Sequence, residues 1–133
     1  MKCTPENLTH LEQDEIYVFG SNVDGIHDKG DALIAYKYFG AVMGQNSGLQ
    51  GQSYAIPTMN GDIEKMKPYI QDFFELAGEW DQTMFYVTRI GCDIPGITDS
   101  DMAPLFAEAL TLYNVLLPES FLQALQDMGI EIP

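Results

Sequence analysis

Three short segments share one pattern, and that pattern limits the fold more than any other feature of the chain. Each is an apolar run that stops abruptly in glycine or small polar residues. They are Ile16-Tyr17-Val18-Phe19-Gly20-Ser21-Asn22, Tyr54-Ala55-Ile56-Pro57-Thr58 and Met84-Phe85-Tyr86-Val87-Thr88-Arg89-Ile90-Gly91-Cys92. Short apolar runs bounded by turn residues read as buried strands. In an open α/β sheet, ligands sit outside the carboxyl ends of the strands. Three such ends in a chain of 133 residues point to one binding crevice.

The segments between the strands have helical spacing. Ala32, Ala35, Tyr36 and Phe39 predict a helix over 31–39 that stops at Gly40. Ile63, Met66, Ile70, Phe73, Phe74 and Ala77 form the clearest apolar stripe, capped by Asp62. Pro68 removes a helical donor there, so it implies a start near Glu64 or a kink. Thr98-Asp99-Ser100-Asp101 opens a third helix with Met102, Leu105, Phe106 and Ala109 inward. A fourth strand at 115–117 precedes a last helix carrying Phe121, Leu122, Leu125 and Met128. Residues 1–14 read as a polar lead-in, and 44–52 as a loop. The alternation predicts a single α/β domain over 1–133, a three-layer α/β/α sandwich with a largely parallel, mixed sheet.

Charge narrows the partners. Twenty acids against six bases give a net charge of −14. Nucleic acid and anionic membranes are bound mainly through Lys and Arg, so neither is an expected partner. The N-terminal residues lack the apolar core of a signal peptide, which points to the cytoplasm. Cys3 and Cys92 make neither a disulfide framework nor a metal set, and no motif calls for a cofactor. Cys92 reads as a small buried hydrophobe before it reads as a nucleophile.

The strongest local signal is the loop from Gly20 to Gly30, ahead of the first helix. Its glycines, at 20, 25 and 30, let backbone amides face inward, and a helix N-terminus behind them favours an anion. The plain alternative is a strand-to-helix turn. Asn22 either donates to a ligand oxygen or closes an Asx-turn. His27 is either a general acid–base group with Asp31 as its orienter, or a solvated loop histidine. Ser21, Thr58, Thr88 and Gly91 repeat the small-residue theme at neighbouring strand ends. The Gly91-Cys92-Asp93-Ile94-Pro95-Gly96 loop is a second glycine-bounded turn, in which Asp93 either reaches a ribose hydroxyl or is simply exposed. Arg89, the only arginine, is either half of an ion pair or an anion hook.

The string Thr88-Arg89-Ile90-Gly91-Cys92-Asp93-Ile94-Pro95-Gly96 resembles the phosphate-holding loop of macrodomains, which bind ADP-ribose and process its derivatives. Phe19-Gly20-Ser21-Asn22, Gly48-Leu49-Gln50-Gly51-Gln52-Ser53-Tyr54-Ala55-Ile56-Pro57-Thr58 and Thr88-Arg89-Ile90-Gly91-Cys92 resemble a family of small bacterial and phage proteins with a remote macrodomain likeness. The likeness implies a macrodomain-like fold and a small-molecule ligand of the ADP-ribose type. It implies that Asn22 and Gly25–Gly30 form the first ligand loop, and that hydrolysis of ADP-ribose derivatives is an activity to test. Where the family has "GRHGxGAA" and "GCGLAG", this chain has Ile26, Asp28, Asp31 and Asp93, which adds acids beside a phosphate site. Those acids motivate the competing expectation, a non-enzymatic interaction protein that keeps the fold. Another nucleotide or phosphosugar is the third.

Overall fold

A computed structural model describes residues 1–133. Five strands form one sheet: β1 (Glu15–Ser21), β2 (Gly48–Gln50), β3 (Ser53–Pro57), β4 (Met84–Val87) and β5 (Val115–Leu116). Their order across the sheet is β2-β3-β1-β4-β5. All pairings are parallel except β2 with β3. The central place of β1 follows from its sequence, since Ile16 to Phe19 are buried on both faces.

Alternation along the strands divides the core. Ile16, Val18, Ile56, Phe85, Val87 and Val115 face one side. There they meet α2 (Ile63–Glu79), α3 (Asp99–Met102), a 3₁₀ helix (Ala103–Thr111) and α4 (Glu119–Asp127). Tyr17, Phe19 and Ala55 face the other side and pack on Ala32 and Ala35 of α1 (Gly30–Tyr38). The result is a three-layer α/β/α sandwich with a mostly parallel, mixed sheet, as the sequence predicts. No helix is long and apolar enough to cross a membrane.

Local differences from the sequence reading have physical causes. Part of the 44–52 segment is strand: Gly48–Gln50 pairs with Ser53–Ala55 around a tight turn, with Ser53 Oγ donating to the Gln50 carbonyl at 2.7 Å. Asp62 does cap α2, accepting from Lys65 N. Pro68 lies inside that helix and removes the donor for the Glu64 carbonyl. Beyond Met102 the third helix tightens to 3₁₀, and its buried residues Ala103, Phe106 and Ala109 recur every third position, the 3₁₀ period. Met128 is the C-cap of α4 and is exposed, so it is not a core residue. The N-terminal segment docks on the sheet beyond β5: Thr4 N donates to the Leu117 carbonyl at 2.8 Å, and Thr4 Oγ1 to Val87 O at 2.7 Å.

Candidate functional site

The carboxyl ends of β1, β3 and β4 do converge, but their meeting point is filled. A Cβ added to Gly20 would lie 3.2 Å from the Thr58 methyl and 3.4 Å from Ile90 Cγ2. Thr58 is buried and donates its hydroxyl to the Ser21 carbonyl at 2.9 Å. Gly91 has φ +86, and a Cβ there would meet Met102 Sδ at 2.9 Å. The glycines at 20 and 91 therefore admit neighbouring side chains of this chain, where the sequence reading expected ligand.

The Gly20–Gly30 loop is corrected in the same sense. Its inner face is covered by the segment 42–48. Gly44 N donates to Gly25 O at 2.9 Å, Asn46 Nδ2 donates to Val23 O at 2.9 Å, and the Ser21 hydroxyl donates to Asn46 O. A Cβ on Gly25, where φ is +69, would overlap the Gly44 carbonyl carbon at 2.7 Å. Asn22 uses both ends of its amide on Ile26, accepting from its N–H at 2.8 Å and donating to its carbonyl at 2.9 Å. Asn22 thus closes the loop. Gly30, at the start of α1, has open space where a Cβ would stand, and so does Gly96.

His27 is 0% exposed. Its ring meets Phe19 edge-on at 5.2 Å, and Nε2 donates to the Gln45 carbonyl at 3.1 Å. Nδ1 is buried without a partner. The His27–Asp31 pair is therefore corrected: the imidazole ties two loops together inside the protein and cannot reach a ligand. Asp31 takes its hydrogen bond from the Tyr17 hydroxyl, at 3.2 Å.

An open cavity does exist, displaced toward the β4–β5 edge. It has a volume of about 790 Å³ and lies between the N-terminal segment, α1, the loop after β4 and the start of α4. Five residues singled out in the sequence reach it: Asp31, Thr88, Arg89, Cys92 and Asp93. Burial pushes the Asp31 carboxyl above the usual carboxylate range, the Tyr17 bond opposes that shift, and the nearby Asp93 charge adds to it. Burial, with the Asp99 charge beside it, pushes the Cys92 thiol up to about 11, so a thiolate nucleophile has no support there. The Thr88 hydroxyl donates to Val18 O at 2.8 Å and fixes the chain after β4 to β1.

Arg89 lines the cavity too. Its Nε and Nη2 donate to the two Asp99 oxygens at 3.0 and 2.9 Å. Of the two roles the sequence leaves open for Arg89, the ion pair is present, and its acid comes from another element. Arg89 nonetheless keeps Nη1 without a protein acceptor, on a side chain 56% exposed. Asp99 also accepts from Ser120 Oγ at 2.8 Å, and the Arg89 guanidinium holds its carboxyl below the usual range.

The sequence reading missed Tyr17, Asn7 and Ser120 on the cavity wall. Tyr17 looks like core in a strand, and only the position of α1 shows that its hydroxyl emerges at Asp31. Asn7 has φ +57 and lies on the wall with the rest of the N-terminal segment from Cys3 to Leu8. The chain matches no family model, no curated protein and no solved structure among those compared.

Proposed function

We propose that the protein binds a ribose-bearing small molecule, ADP-ribose or a related nucleotide or phosphosugar, in the cavity beside Asp31. The observation that carries this reading is a cavity of about 790 Å³ whose wall carries one guanidinium, Arg89, and four carboxylates, with Asp31 and Asp93 at the strand and helix ends and Glu6 and Glu119 beside them. That volume falls within the usual range for small-molecule sites. Carboxylates accept from the vicinal hydroxyls of a ribose, and the unbonded Nη1 of Arg89 can donate to a phosphate oxygen. The likeness of Thr88–Gly96 to the macrodomain loop adds support. The reading also puts the protein in the cytoplasm, where the free thiols of Cys3 and Cys92 persist.

Calorimetry with ADP-ribose, AMP, ribose 5-phosphate and NAD tests it. Saturable binding that Asp31→Ala and Arg89→Ala both weaken is the expected result. If none of the four ligands gives heat or a thermal shift at millimolar concentration, the reading is wrong. Turnover of ADP-ribose-1″-phosphate, present in the wild type and absent in Asp31→Ala, would extend binding to hydrolysis with Asp31 as the proton-transfer group.

A second reading, an interaction protein that keeps the fold, is favoured by one observation. The first expected ligand loop is sealed by the protein's own segment 42–48.

A further inference from the structure

Exposed apolar side chains are normally scattered. Here seven of the eleven large ones lie between Val23 and Leu49. Five of them sit on the two loops that are zipped together and on the adjoining strand β2: Val23, Ile26, Val42, Met43 and Leu49. Hydrogen bonds hold them close. His27 N donates to Met43 Sδ at 3.3 Å, which sets Met43 beside Ile26. Asn46 Nδ2 reaches Val23 O, and Gln45 Nε2 reaches Leu49 O at 3.1 Å. Ile26 is 44% exposed and Val42 49%. Buried His27 and the backbone contact at Gly25 fix the two loops in one arrangement, so this apolar surface is preformed.

The charge distribution says what can cover it. Residues 38–61 hold no charged side chain at all, and residues 22–49 hold three acids and two lysines. The remainder of the chain holds seventeen acids against four bases. A basic partner would be drawn to those acidic faces and away from this one. A second copy of the chain meets less repulsion through this face than through the acidic remainder. Asp24, Asp28 and Lys29 rim the patch on the same loop, so a two-fold axis through it can set the lysine of each copy against the acids of the other. Contact by strand addition is disfavoured, because the Gln45 side chain already occupies the Leu49 carbonyl on the edge strand.

We propose that the Val23–Ile26–Val42–Met43 face is the interface of a two-fold symmetric dimer of this chain. It forms through side-chain burial and is independent of the cavity. Sedimentation velocity from roughly 10 µM to 1 mM tests it. The wild type is expected to pass from monomer to dimer in that range. Association should tighten as added salt screens the repulsion between the acidic remainders of the two copies. Ile26→Glu and Val42→Glu, both at exposed positions, should each raise the dissociation constant by at least about tenfold with unchanged circular dichroism. Lys29→Glu should weaken the dimer, and Asp31→Ala should leave it intact whether or not the cavity binds a ligand. A wild type that stays monomeric throughout, or a dimer untouched by Ile26→Glu and Val42→Glu, would overturn the proposal.

Discussion

The Tyr17 hydroxyl donates to Asp31 Oδ1 at 3.2 Å, joining the middle of the central strand to the first turn of α1. This bond opposes the dominant effect on Asp31, which is burial. A carboxyl raised in the folded state binds its proton more tightly there than in the unfolded chain. Its stabilising contribution is present below the unfolded pKa and is lost as pH rises through the folded one. Asp31→Asn removes that loss and keeps an oxygen to accept from Tyr17. The variant should therefore melt higher than wild type at pH 7, with the gain shrinking to nothing by about pH 3. Thermal melts of both proteins from pH 3 to 8 check the slope, and a gain that grows toward acid would refute it.

Asp99 should show the opposite slope. Arg89 lowers its pKa, so its contribution is present above the unfolded pKa and is lost as pH falls through the folded value. The pair is partly exposed, so Arg89→Ala should cost only about 0.2–1 kcal/mol. Asp99→Ala should cost more, about 1.5–3 kcal/mol, because the carboxylate also holds Ser120 and thereby ties α3 to α4. Urea denaturation of the two variants gives the ranking. Equal losses would mean that the Ser120 bond adds nothing.

Gly91→Ala tests whether that glycine serves packing. The φ of +86 and the Met102 sulfur at 2.9 Å from an added Cβ act together. The expected loss is about 2–4 kcal/mol, from left-handed strain and overpacking combined. Gly96→Ala shares the strained φ, +88, but meets open space, and should cost about 1 kcal/mol. If the two substitutions cost the same, the Met102 contact carries no weight.

These contrasts show which parts of the fold could be read in the sequence. The four apolar runs and the Asp62-capped stripe were legible because each is a block of buried apolar residues bounded by turn or cap residues. The β2 strand was not, since three residues among glycines carry no periodicity. Of the site, Asp31, Thr88, Arg89, Cys92 and Asp93 were found because they stand at the ends of elements. The filling of the crevice was not legible. It depends on Met102, Ile90 and the segment 42–48, whose meeting with Gly91, Gly20 and Gly25 is set only by tertiary packing. Thr4 was missed for the same reason: its two carbonyl partners, on Val87 and Leu116, lie far along the chain.

His27 and Asp31 stand four residues apart, and the structure places the first in the interior and the second on the cavity wall. His27 is buried, and its truncation removes a ring packed on Phe19 and a donor to the Gln45 carbonyl. His27→Ala should therefore cost about 2–4 kcal/mol by cavity formation and loss of the donor. It should also loosen the 42–48 segment, with faster amide exchange at Gly44 and Gln45, whose N–H groups donate to Gly25 O and Val42 O. Any ligand held in the cavity should bind the folded variant with unchanged affinity. Asp31→Ala should do the reverse, leaving exchange in 42–48 as in the wild type while weakening the ligand. Hydrogen exchange and calorimetry on the same two variants separate the roles. Lost affinity in His27→Ala with its 42–48 segment still protected would return the histidine to the ligand site.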